Sequence, residues 1–404
     1  MDQIEQLLTR GVDSIYPSKE ALEKVLRSGK KLTLYQGFDP TGTQLHIGHA
    51  VGFRKLRQWQ DLGHHVIFLI GDGTGLAGDP SGKMKARGRF MSRQELRDNA
   101  VSYLKQASKI VRFEGENPIE IRYNGDWLTK LKLEDILNIA QNFTVQQMIE
   151  RDMYQTRIKA GDPINLREFL YPILQGYDSV VMKVDLEQGG TDQTFNMLAG
   201  RTLVKAMLGK EKFVMTVPLL ADSKGVKIGK TEGNVIGLTD APNDLYAKIM
   251  SLSDDAIVPC FKFLTDLPME EIESMKQEMK NGINPMNFKK KLAFELTKYL
   301  HAEKEAQEAQ EQFVQTFQKK DLSKVHIEET PIAVVPNANN VNIVDLVSLG
   351  DLRLASSRSE AKRQIIGGAV EINGKKILDT NAIIKLNPGD IIKVGKVRFK
   401  KFIK

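Results

Sequence analysis

Two short motifs, roughly 180 residues apart, have the residue types that hold phosphate groups. Residues 46–49, His-Ile-Gly-His, follow a strand-like run and a turn, which places them where a helix begins. Residues 227–231, Lys-Ile-Gly-Lys-Thr, lie in a stretch rich in glycine and lysine. Backbone N–H groups at a helix start favour anions, and a lysine pair can close over the same phosphates. In this order, the motifs indicate the activation of a carboxylate with ATP.

A metal site is the alternative interpretation, because four of the six histidines lie within residues 46–65. No Cys, Asp or Glu stands at ligand spacing beside them, which favours the nucleotide interpretation. His46 and His49 are one helical turn apart, so their side chains share a face, and Gly48 leaves room for a base or ribose.

A second group of polar residues has helical spacing. Tyr171, Gln175 and Asp178 fall on one face of a helix within an otherwise apolar stretch. A buried carboxylate is costly unless it is paired, so Asp178 either forms an internal salt bridge or accepts a hydrogen bond from a ligand. Residues 189–193, Gly-Gly-Thr-Asp-Gln, form a turn where backbone can approach a ligand, although any turn could have this composition.

The glycine-rich segment 71–83 formally matches a dinucleotide-binding motif, Gly-x-Gly-x-x-Gly after a strand. That motif also requires a second strand ending in an acidic residue about 20 positions on, and residues 91–95 look helical instead. A P-loop fails as well, since Ala77 replaces its first glycine and Met84 follows Lys83.

The elements around these motifs predict an α/β fold. Residues 31–36 and 65–70 read as buried parallel strands, each followed by a glycine-rich turn and a helical pattern, which predicts a Rossmann-like, doubly wound parallel sheet. Residues 2–28 read as helices. We predict five regions: a catalytic domain over 1–220 with a helical insertion at about 125–170, the Lys-Ile-Gly-Lys-Thr loop over 221–240, an all-helical domain over 241–326, a linker over 327–340 and a small α+β domain over 341–404.

Composition and charge indicate the kind of partner and the cellular compartment. Residues 337–404 hold 13 Lys and Arg against 6 Asp and Glu, whereas the rest of the chain is balanced at 45 of each sign. This local excess is typical of a domain that binds a phosphate-rich partner, and a solvated basic tail is the alternative. The single Cys260, the absence of a long apolar run and an N-terminus without a secretory pattern predict a cytoplasmic protein without a membrane partner.

These motifs, taken together, resemble those of class I aminoacyl-tRNA synthetases, and within them the bacterial-type tyrosyl-tRNA synthetases. The resemblance runs over essentially the whole chain, with matching blocks at residues 35–41, 46–49, 78–83, 171–178, 189–193 and 227–231 and an S4 RNA-binding domain at 337–404. It implies a tyrosine–tRNA ligase whose partners are L-tyrosine, ATP and tRNA(Tyr). It also implies Mg²⁺ with the ATP, no tightly bound cofactor, and a homodimer formed through residues 125–170.

The resemblance carries roles to individual residues. It implies a catalytic group around the ATP phosphates, made of His46, His49, Thr41, Lys227 and Lys230. It implies a tyrosine site in which Tyr35 and Asp178 bind the phenol, and Asp79, Tyr171 and Gln175 bind the α-ammonium group. It implies ATP contacts from Gly37, Asp39, Gly48, Gly190, Asp192, Gln193 and Thr231, and tRNA contacts from Arg358, Lys362, Arg363 and Lys375. It implies no metal ligand in the protein.

The sequence departs from the family pattern at two places, and three other classes of protein are alternatives. Lys-Ile-Gly-Lys-Thr replaces the Lys-Met-Ser-Lys-Ser of many relatives but keeps both lysines, and Glu187 replaces a Gln found in some members, with no role implied. A tryptophanyl-tRNA synthetase shares the core, but Tyr35 with Asp178 suits a phenol. The intact motifs argue against a catalytically silent RNA-binding relative, and a small nucleotidyltransferase would lack the later blocks.

Overall fold

The computed structural model describes residues 2–81, 90–222, 225, 227–228, 230–231, 234–319, 327–352, 354–355, 357–395 and 398–404. The chain divides into two compact units. The first comprises Met1–Ala241 and Lys248–Glu303, and the second comprises Pro242–Ala247 and Lys304–Lys404. No helix in the described ranges is both long and apolar enough for a membrane span.

A six-stranded sheet organises the first unit. Its strands are β1 (Ser14–Tyr16), β2 (Thr33–Phe38), β3 (His65–Ile70), β4 (Glu120–Tyr123), β5 (Leu186–Gly190) and β6 (Phe213–Val217). Their order is β1-β6-β5-β2-β3-β4, and all neighbours are parallel except β1 and β6. Residues 66–70 of β3 are all buried, as expected for a parallel strand with both faces covered.

Eleven helices accompany this sheet in the described part of the chain up to β6. They are α1 (Gln3–Thr9), α2 (Lys19–Arg27), α3 (Ile47–Asp61), α4 (Thr74–Ala77), α5 (Arg93–Ala107), α6 (Gly125–Leu128), α7 (Leu133–Ala140), α8 (Val145–Ile149), α9 (Asp152–Ala160), α10 (Leu166–Met182) and α11 (Thr194–Leu208). α6 to α9 and the start of α10 lie in the predicted helical insertion. Capping boxes at Ser92 and Asn165 fix the starts of α5 and α10, because each cap side chain accepts a backbone proton of the first turn.

The next part of the chain is a short hairpin, within the region predicted as a loop, and it is followed by helices. β7 (Lys230–Thr231) pairs with β8 (Asn234–Val235). The helices are α12 (Pro242–Met250), α13 (Ile257–Leu264), α14 (Met269–Lys280), α15 (Pro285–Leu300) and α16 (Glu303–Phe313). The predicted start of α15 is confirmed: Oδ1 of Asn284 accepts from the N–H of Met286 at 3.0 Å, and Pro285 takes the first helical position.

The second unit ends in a small α+β domain. It contains β9 (Glu329–Pro331), β10 (Val341–Asn342), α17 (Ile343–Ser348), α18 (Arg358–Ile366), β11 (Val370–Ile372), β12 (Lys375–Lys376), β13 (Ile383–Ile384), β14 (Ile391–Val394) and β15 (Arg398–Ile403). The larger sheet has the order β12-β11-β14-β15-β9, and β10 pairs with β13. The predicted tight turn at Asn373-Gly374 is confirmed, since both residues have positive φ and join β11 to β12.

Two further segments differ from the sequence prediction. Ser14–Tyr16, within the predicted helical region 2–28, forms β1, which at three residues is too short to give a periodic signal. Glu329–Pro331, within the predicted linker 327–340, forms β9 and pairs with β15 in parallel. Pro331 stands at the last position of this edge strand, where its missing N–H costs no hydrogen bond inside the sheet.

Candidate active site

The order of the central sheet reverses between β2 and β5, and the candidate site lies at that reversal. β3 and β4 extend the sheet on one side of β2, whereas β5 and β6 lie on the other. A crevice forms outside the carboxyl ends of parallel strands at such a point. Residues 37–39 at the end of β2 line a cavity of about 420 Å³, together with four residues at and just after the end of β5: Gly189, Gly190, Asp192 and Gln193.

The start of α3 contributes the two histidines to this cavity. Nδ1 of His46 accepts from the N–H of Gly48 at 3.1 Å, and Nδ1 of His49 accepts from the N–H of His46 at 3.2 Å. Because both Nδ1 atoms accept, each neutral ring carries its proton on Nε2 and can donate from there. A Cβ on Gly48 would lie 2.9 Å from the His46 ring, so glycine is needed for this close approach.

Lys227 and Thr41 line the same cavity. Nζ of Lys227 is 3.6 Å from Oδ2 of Asp192, and the lysine side chain is half exposed. Burial raises the pKa of the Asp192 carboxyl, and the Lys227 ammonium acts against that rise. An exposed ion pair of this kind contributes little to stability, so Lys227 can exchange the carboxylate for a phosphate at small cost.

The helix α10 brings Tyr171, Gln175 and Asp178 to the cavity on one face, as their spacing predicted. The Asp178 carboxylate is buried and accepts two hydrogen bonds, from Nδ2 of Asn124 at 2.9 Å and from Nε1 of Trp127 at 2.8 Å. Burial raises the pKa of Asp178 well above its usual range, and these two donors oppose the rise. Both partners are neutral and leave the carboxylate with acceptor capacity, which suits a ligand hydroxyl.

Tyr35 on β2 also lines the cavity and is buried. Its hydroxyl lies 3.0 Å from Oγ of Ser179 and 3.5 Å from the carbonyl oxygen of Gln175. Burial raises the pKa of this phenol well above its usual range. Tyr35 therefore stays a neutral hydroxyl beside the acceptor Asp178.

Asp39, which the resemblance assigns to ATP, contacts Tyr171, which the resemblance assigns to tyrosine. Its Oδ2 accepts from the hydroxyl of Tyr171 at 2.9 Å, and its Oδ1 accepts from Oγ1 of Thr74 at 2.8 Å. Burial, followed by the Asp39 and Asp79 charges, raises the pKa of Tyr171 well above its usual range. The hydroxyl of Tyr171 is thus a fixed neutral donor to Asp39.

Two motifs that are far apart in the sequence meet at Asp79. Its Oδ2 accepts from Nε2 of Gln193 at 2.9 Å, and its Oδ1 accepts from the N–H of Ser81 at 2.9 Å. Asp79, Gly190, Asp192 and Gln193 all line the cavity. The glycine-rich turn after β3 and the turn after β5 therefore form one wall.

The remaining predicted residues fall outside this cavity or outside the described side chains. Lys230 and Thr231 belong to β7, whose side chains lie outside the described part of the structure. In the second unit, Arg358 forms an ion pair with Asp345, and the neighbouring Lys362 and Arg363 are exposed on α18. Lys375 is exposed on β12.

Comparisons with known proteins identify the family of the chain. Residues 27–318 match the family model of class I tRNA synthetases (W and Y), and residues 348–392 match the S4 domain. The chain is 43% identical to a tyrosine–tRNA ligase of Dehalococcoides mccartyi (strain CBDB1), covering 100% of this chain and 99% of the relative. It is 40% identical to that of Thermotoga maritima, covering 98% of this chain and 96% of the relative. The chain belongs to the tyrosyl-tRNA synthetase family.

A solved structure extends the tyrosyl-tRNA synthetase comparison. A C-terminally truncated mitochondrial tyrosyl-tRNA synthetase of Aspergillus nidulans superimposes with a TM-score of 0.64 at 26% identity, covering 78% of this chain and 94% of the other. The predicted fold class, family and S4 domain are confirmed by these matches. Within the described residues of this tyrosyl-tRNA synthetase family member, no group of three or more His, Cys, Asp or Glu could hold a metal ion.

Sequence reasoning missed three side chains that shape the candidate site. Asn124 and Trp127 hold Asp178 from a position more than 50 residues upstream. Lys212 lies just before β6 and contacts Glu187, a cavity-lining residue of β5 to which the resemblance assigned no role. The signal for Asn124 was its place directly after β4, where a parallel strand ends at the crevice. Lys212 gave no motif signal.

Proposed function

We propose that the chain activates L-tyrosine with ATP and transfers it to tRNA(Tyr). A tyrosine carboxylate oxygen attacks the α-phosphorus of ATP, which forms tyrosyl-adenylate and releases pyrophosphate. A ribose hydroxyl of the 3′-terminal adenosine of the tRNA then attacks the acyl carbon, loses its proton and releases AMP. The observation that carries this proposal is that one cavity brings together Asp178, Gln175 and the two histidines of the His-Ile-Gly-His motif.

The phenol end of tyrosine is recognised by Asp178 and Tyr35. Asp178 accepts a hydrogen bond from the phenol hydroxyl, while Asn124 and Trp127 keep its carboxylate in place. Phenylalanine would leave the buried carboxylate without this partner, and an unsatisfied buried polar group carries a penalty rather than a mere lost contact. Tyrosine is selected because it satisfies a group that phenylalanine leaves unpaired.

The amino end of tyrosine is held by carboxylate, amide and hydroxyl groups. Asp79 and Gln175 provide acceptors for the α-ammonium group, and Tyr171 joins them through its hydroxyl. Asp39, bonded to Tyr171, adds negative charge beside this cation. Fixing the amino group in this way orients the carboxylate for attack on ATP.

The ATP phosphates lie at the start of α3. Nε2–H of His46 and of His49 donate to phosphate oxygens, and Thr41 lies beside them. Lys227 and Lys230 close over the departing pyrophosphate from the other side. These groups stabilise the charge that develops as the α-phosphorus is attacked, which raises the rate without a protein nucleophile.

The nucleotide enters as its Mg²⁺ complex. Mg²⁺ usually takes most of its ligands from phosphates and water, with one or two carboxylates from the protein. Asp192, a carboxylate that lines the cavity near Lys227, would be one such ligand, in addition to what the resemblance implies. Asp192 and Gly190 also suit the ribose, because the turn exposes backbone and a carboxylate together.

The S4 domain binds the tRNA through its basic surface. Lys362 and Arg363 are exposed next to one another on α18, and Lys375 is exposed on β12. Basic side chains bind the phosphate backbone with little regard to sequence. They supply affinity and position, and the acceptor end must reach the cavity for the second step.

The chain acts as a homodimer in the cytoplasm. Four apolar side chains of the helical insertion and the start of α10 are at least 60% exposed: Leu133, Leu137, Val145 and Leu166. Apolar side chains gathered in one exposed segment favour contact with a partner. The single cysteine, Cys260, is buried and fits a reducing compartment.

ATP–pyrophosphate exchange tests this proposal with the full-length protein. Exchange is measured with tyrosine, tryptophan and phenylalanine in separate reactions, and charging of tRNA(Tyr) follows. We expect exchange with tyrosine alone, followed by tyrosine transfer. Exchange with tryptophan would identify the other substrate of this synthetase group, and no exchange by folded protein that binds tRNA would identify an RNA-binding relative without activity.

A further inference from the structure

A buried ion pair lies against the cavity. Glu187 on β5 and Lys212 just before β6 are in contact through Oε2 and Nζ, and their side chains are 2% and 0% exposed. A Cβ on Gly200 of α11 would collide with Nζ of Lys212 and lie 3.1 Å from Oε2 of Glu187. The absence of a side chain at Gly200 is therefore what leaves room for this pair.

Stability alone does not account for two charges in this place. Removing a carboxylate and an ammonium group from water is costly, and apolar residues of similar volume are often as stable or more stable. Burial lowers the pKa of the Lys212 ammonium, and Glu187 acts in the opposite direction. The pair therefore indicates a function in the neighbouring cavity.

The second oxygen of Glu187 faces a residue of the tyrosine site. Oε1 of Glu187 accepts from Nε2 of Gln175 at 2.9 Å. A carboxylate only accepts hydrogen bonds, so it selects the amide orientation that turns Nε2 towards itself and leaves Oε1 of Gln175 for another donor. That Oε1 atom is buried without a hydrogen-bond partner among the described residues, and Gln175 lines the cavity.

The lysine reaches towards the phenol end of the same site. Nζ of Lys212 donates to Oγ of Ser179 at 2.8 Å, and this oxygen lies 3.0 Å from the hydroxyl of Tyr35. Because Lys212 only donates, it occupies an acceptor position of Ser179 and turns the serine proton towards Tyr35 or Glu187. One ion pair thus touches groups at both ends of the tyrosine site.

We propose that Glu187 and Lys212 are positioning residues for the substrate amino acid, and that they fix the Gln175 amide with its oxygen ready to accept from the α-ammonium group. This inference rests on the proposed function of the cavity. Lys212 contacts Oε2 of Glu187, and Oε1 of Glu187 accepts from Nε2 of Gln175, which prevents the amide from presenting its NH₂ group to the substrate cation. Gln175 itself makes the contact with substrate.

Two double variants separate this role from a structural one. Both variants remove the buried charges. In Glu187→Gln/Lys212→Met, the amide oxygen of the new glutamine can still accept from Gln175, and its NH₂ group can donate to Ser179. Glu187→Leu/Lys212→Met presents no acceptor, so the amide is free to turn. Their melting temperatures are compared with wild type, and KM for tyrosine and KM for ATP are measured by pyrophosphate exchange.

We expect the Leu/Met variant to raise KM for tyrosine at least tenfold with KM for ATP within twofold of wild type, and the Gln/Met variant to stay within about threefold for both. If the Leu/Met variant does not fold, Glu187→Val/Lys212→Met tests the same point with less volume. A folded apolar variant with wild-type KM for tyrosine would overturn the inference. Wild-type protein without any exchange would contradict the proposed function instead.

Discussion

Nε1 of Trp127 donates to Oδ1 of Asp178 across 2.8 Å, which ties the helix α6 to the face of α10 that lines the cavity. Asn124 occupies the second oxygen, so the carboxylate is fixed at both oxygens before any ligand enters. A preorganised acceptor loses little freedom on binding. Replacement of Asp178 should therefore affect the binding and activation of tyrosine most directly.

Asp178→Asn should lower kcat/KM for tyrosine in pyrophosphate exchange by about 10- to 100-fold, the range expected when a charged acceptor is lost. The asparagine NH₂ group would also face one of the two donors, Asn124 or Trp127. The matched control is Asp126→Asn, which removes a 57% exposed carboxylate of α6 that pairs with Arg93 and Arg97. Equal losses of kcat/KM for tyrosine in both variants would show that Asp178 does not bind the phenol.

Gly48→Ala should slow adenylate formation at least tenfold while tyrosine binding stays unchanged. The new Cβ would lie 2.9 Å from the His46 ring, so the ring must leave the position in which Nδ1 accepts from residue 48. Single-turnover kinetics and equilibrium dialysis with tyrosine measure the two quantities. Gly42→Ala is the control, since nothing lies within 4 Å of a Cβ at Gly42. A wild-type rate for Gly48→Ala would contradict the phosphate role of His46.

Lys362→Glu/Arg363→Glu should reduce tRNA charging at least tenfold and leave pyrophosphate exchange unchanged. Each lost phosphate contact also lowers the salt dependence of tRNA binding by about one unit of slope. Lys304→Glu, at an 84% exposed side chain of α16, is the control, and it changes the net charge by half as much as the double variant. Charging that is equally affected by Lys304→Glu would point to overall charge rather than to the S4 surface.

Leu133→Asp/Leu166→Asp should raise the dissociation constant of the homodimer at least 100-fold. Each leucine that is buried in the dimer interface contributes about 2 kcal/mol to association. Sedimentation velocity across micromolar concentrations measures the change. Val101→Asp is the control, since Val101 is equally apolar and 69% exposed but lies on α5. A monomer in wild-type protein, or a dimer that tolerates both aspartates, would refute this interface.

Local patterns predicted the shared helical face and the motif positions that line the candidate cavity. The spacing of Tyr171, Gln175 and Asp178 is set by the pitch of one helix, and their shared face lines the cavity as expected. The motifs at 46–49 and 189–193 stand at strand and helix ends, where the topology of a parallel sheet brings chain segments together. Such features depend on neighbours in the sequence, so the sequence predicts them.

Partners that meet only through the tertiary fold were not predictable. Lys212 reaches Glu187 because β6 pairs with β5 and because α11 has a glycine at position 200. Trp127 reaches Asp178 across 51 residues. The hydrogen bond from the hydroxyl of Tyr171 to Asp39 joins residues 132 positions apart. The hydrophobic periodicity of the sequence does not indicate these tertiary contacts.

His64 provides a test of stability that is independent of the active site. It is buried against Trp59, and its Nδ1 accepts from the N–H of Leu32 at 3.1 Å. Burial, with the nearby Lys31 charge, lowers the pKa of His64 to about 4. The folded protein thus keeps a neutral imidazole under conditions in which the unfolded chain would protonate it.

The sign of the pH effect follows from this lowered pKa. Below pH of about 6.5 the unfolded chain binds a proton at His64 that the folded chain does not, so stability falls as pH falls from about 6.5 to about 4. His64→Gln keeps an acceptor for Leu32 without a titrating group. We expect the free energy of unfolding of wild type, relative to His64→Gln, to fall by about 2 kcal/mol between pH 7 and pH 4.5. Urea unfolding at several pH values measures it, and parallel pH dependences for the two proteins would show that His64 is protonated equally in both states.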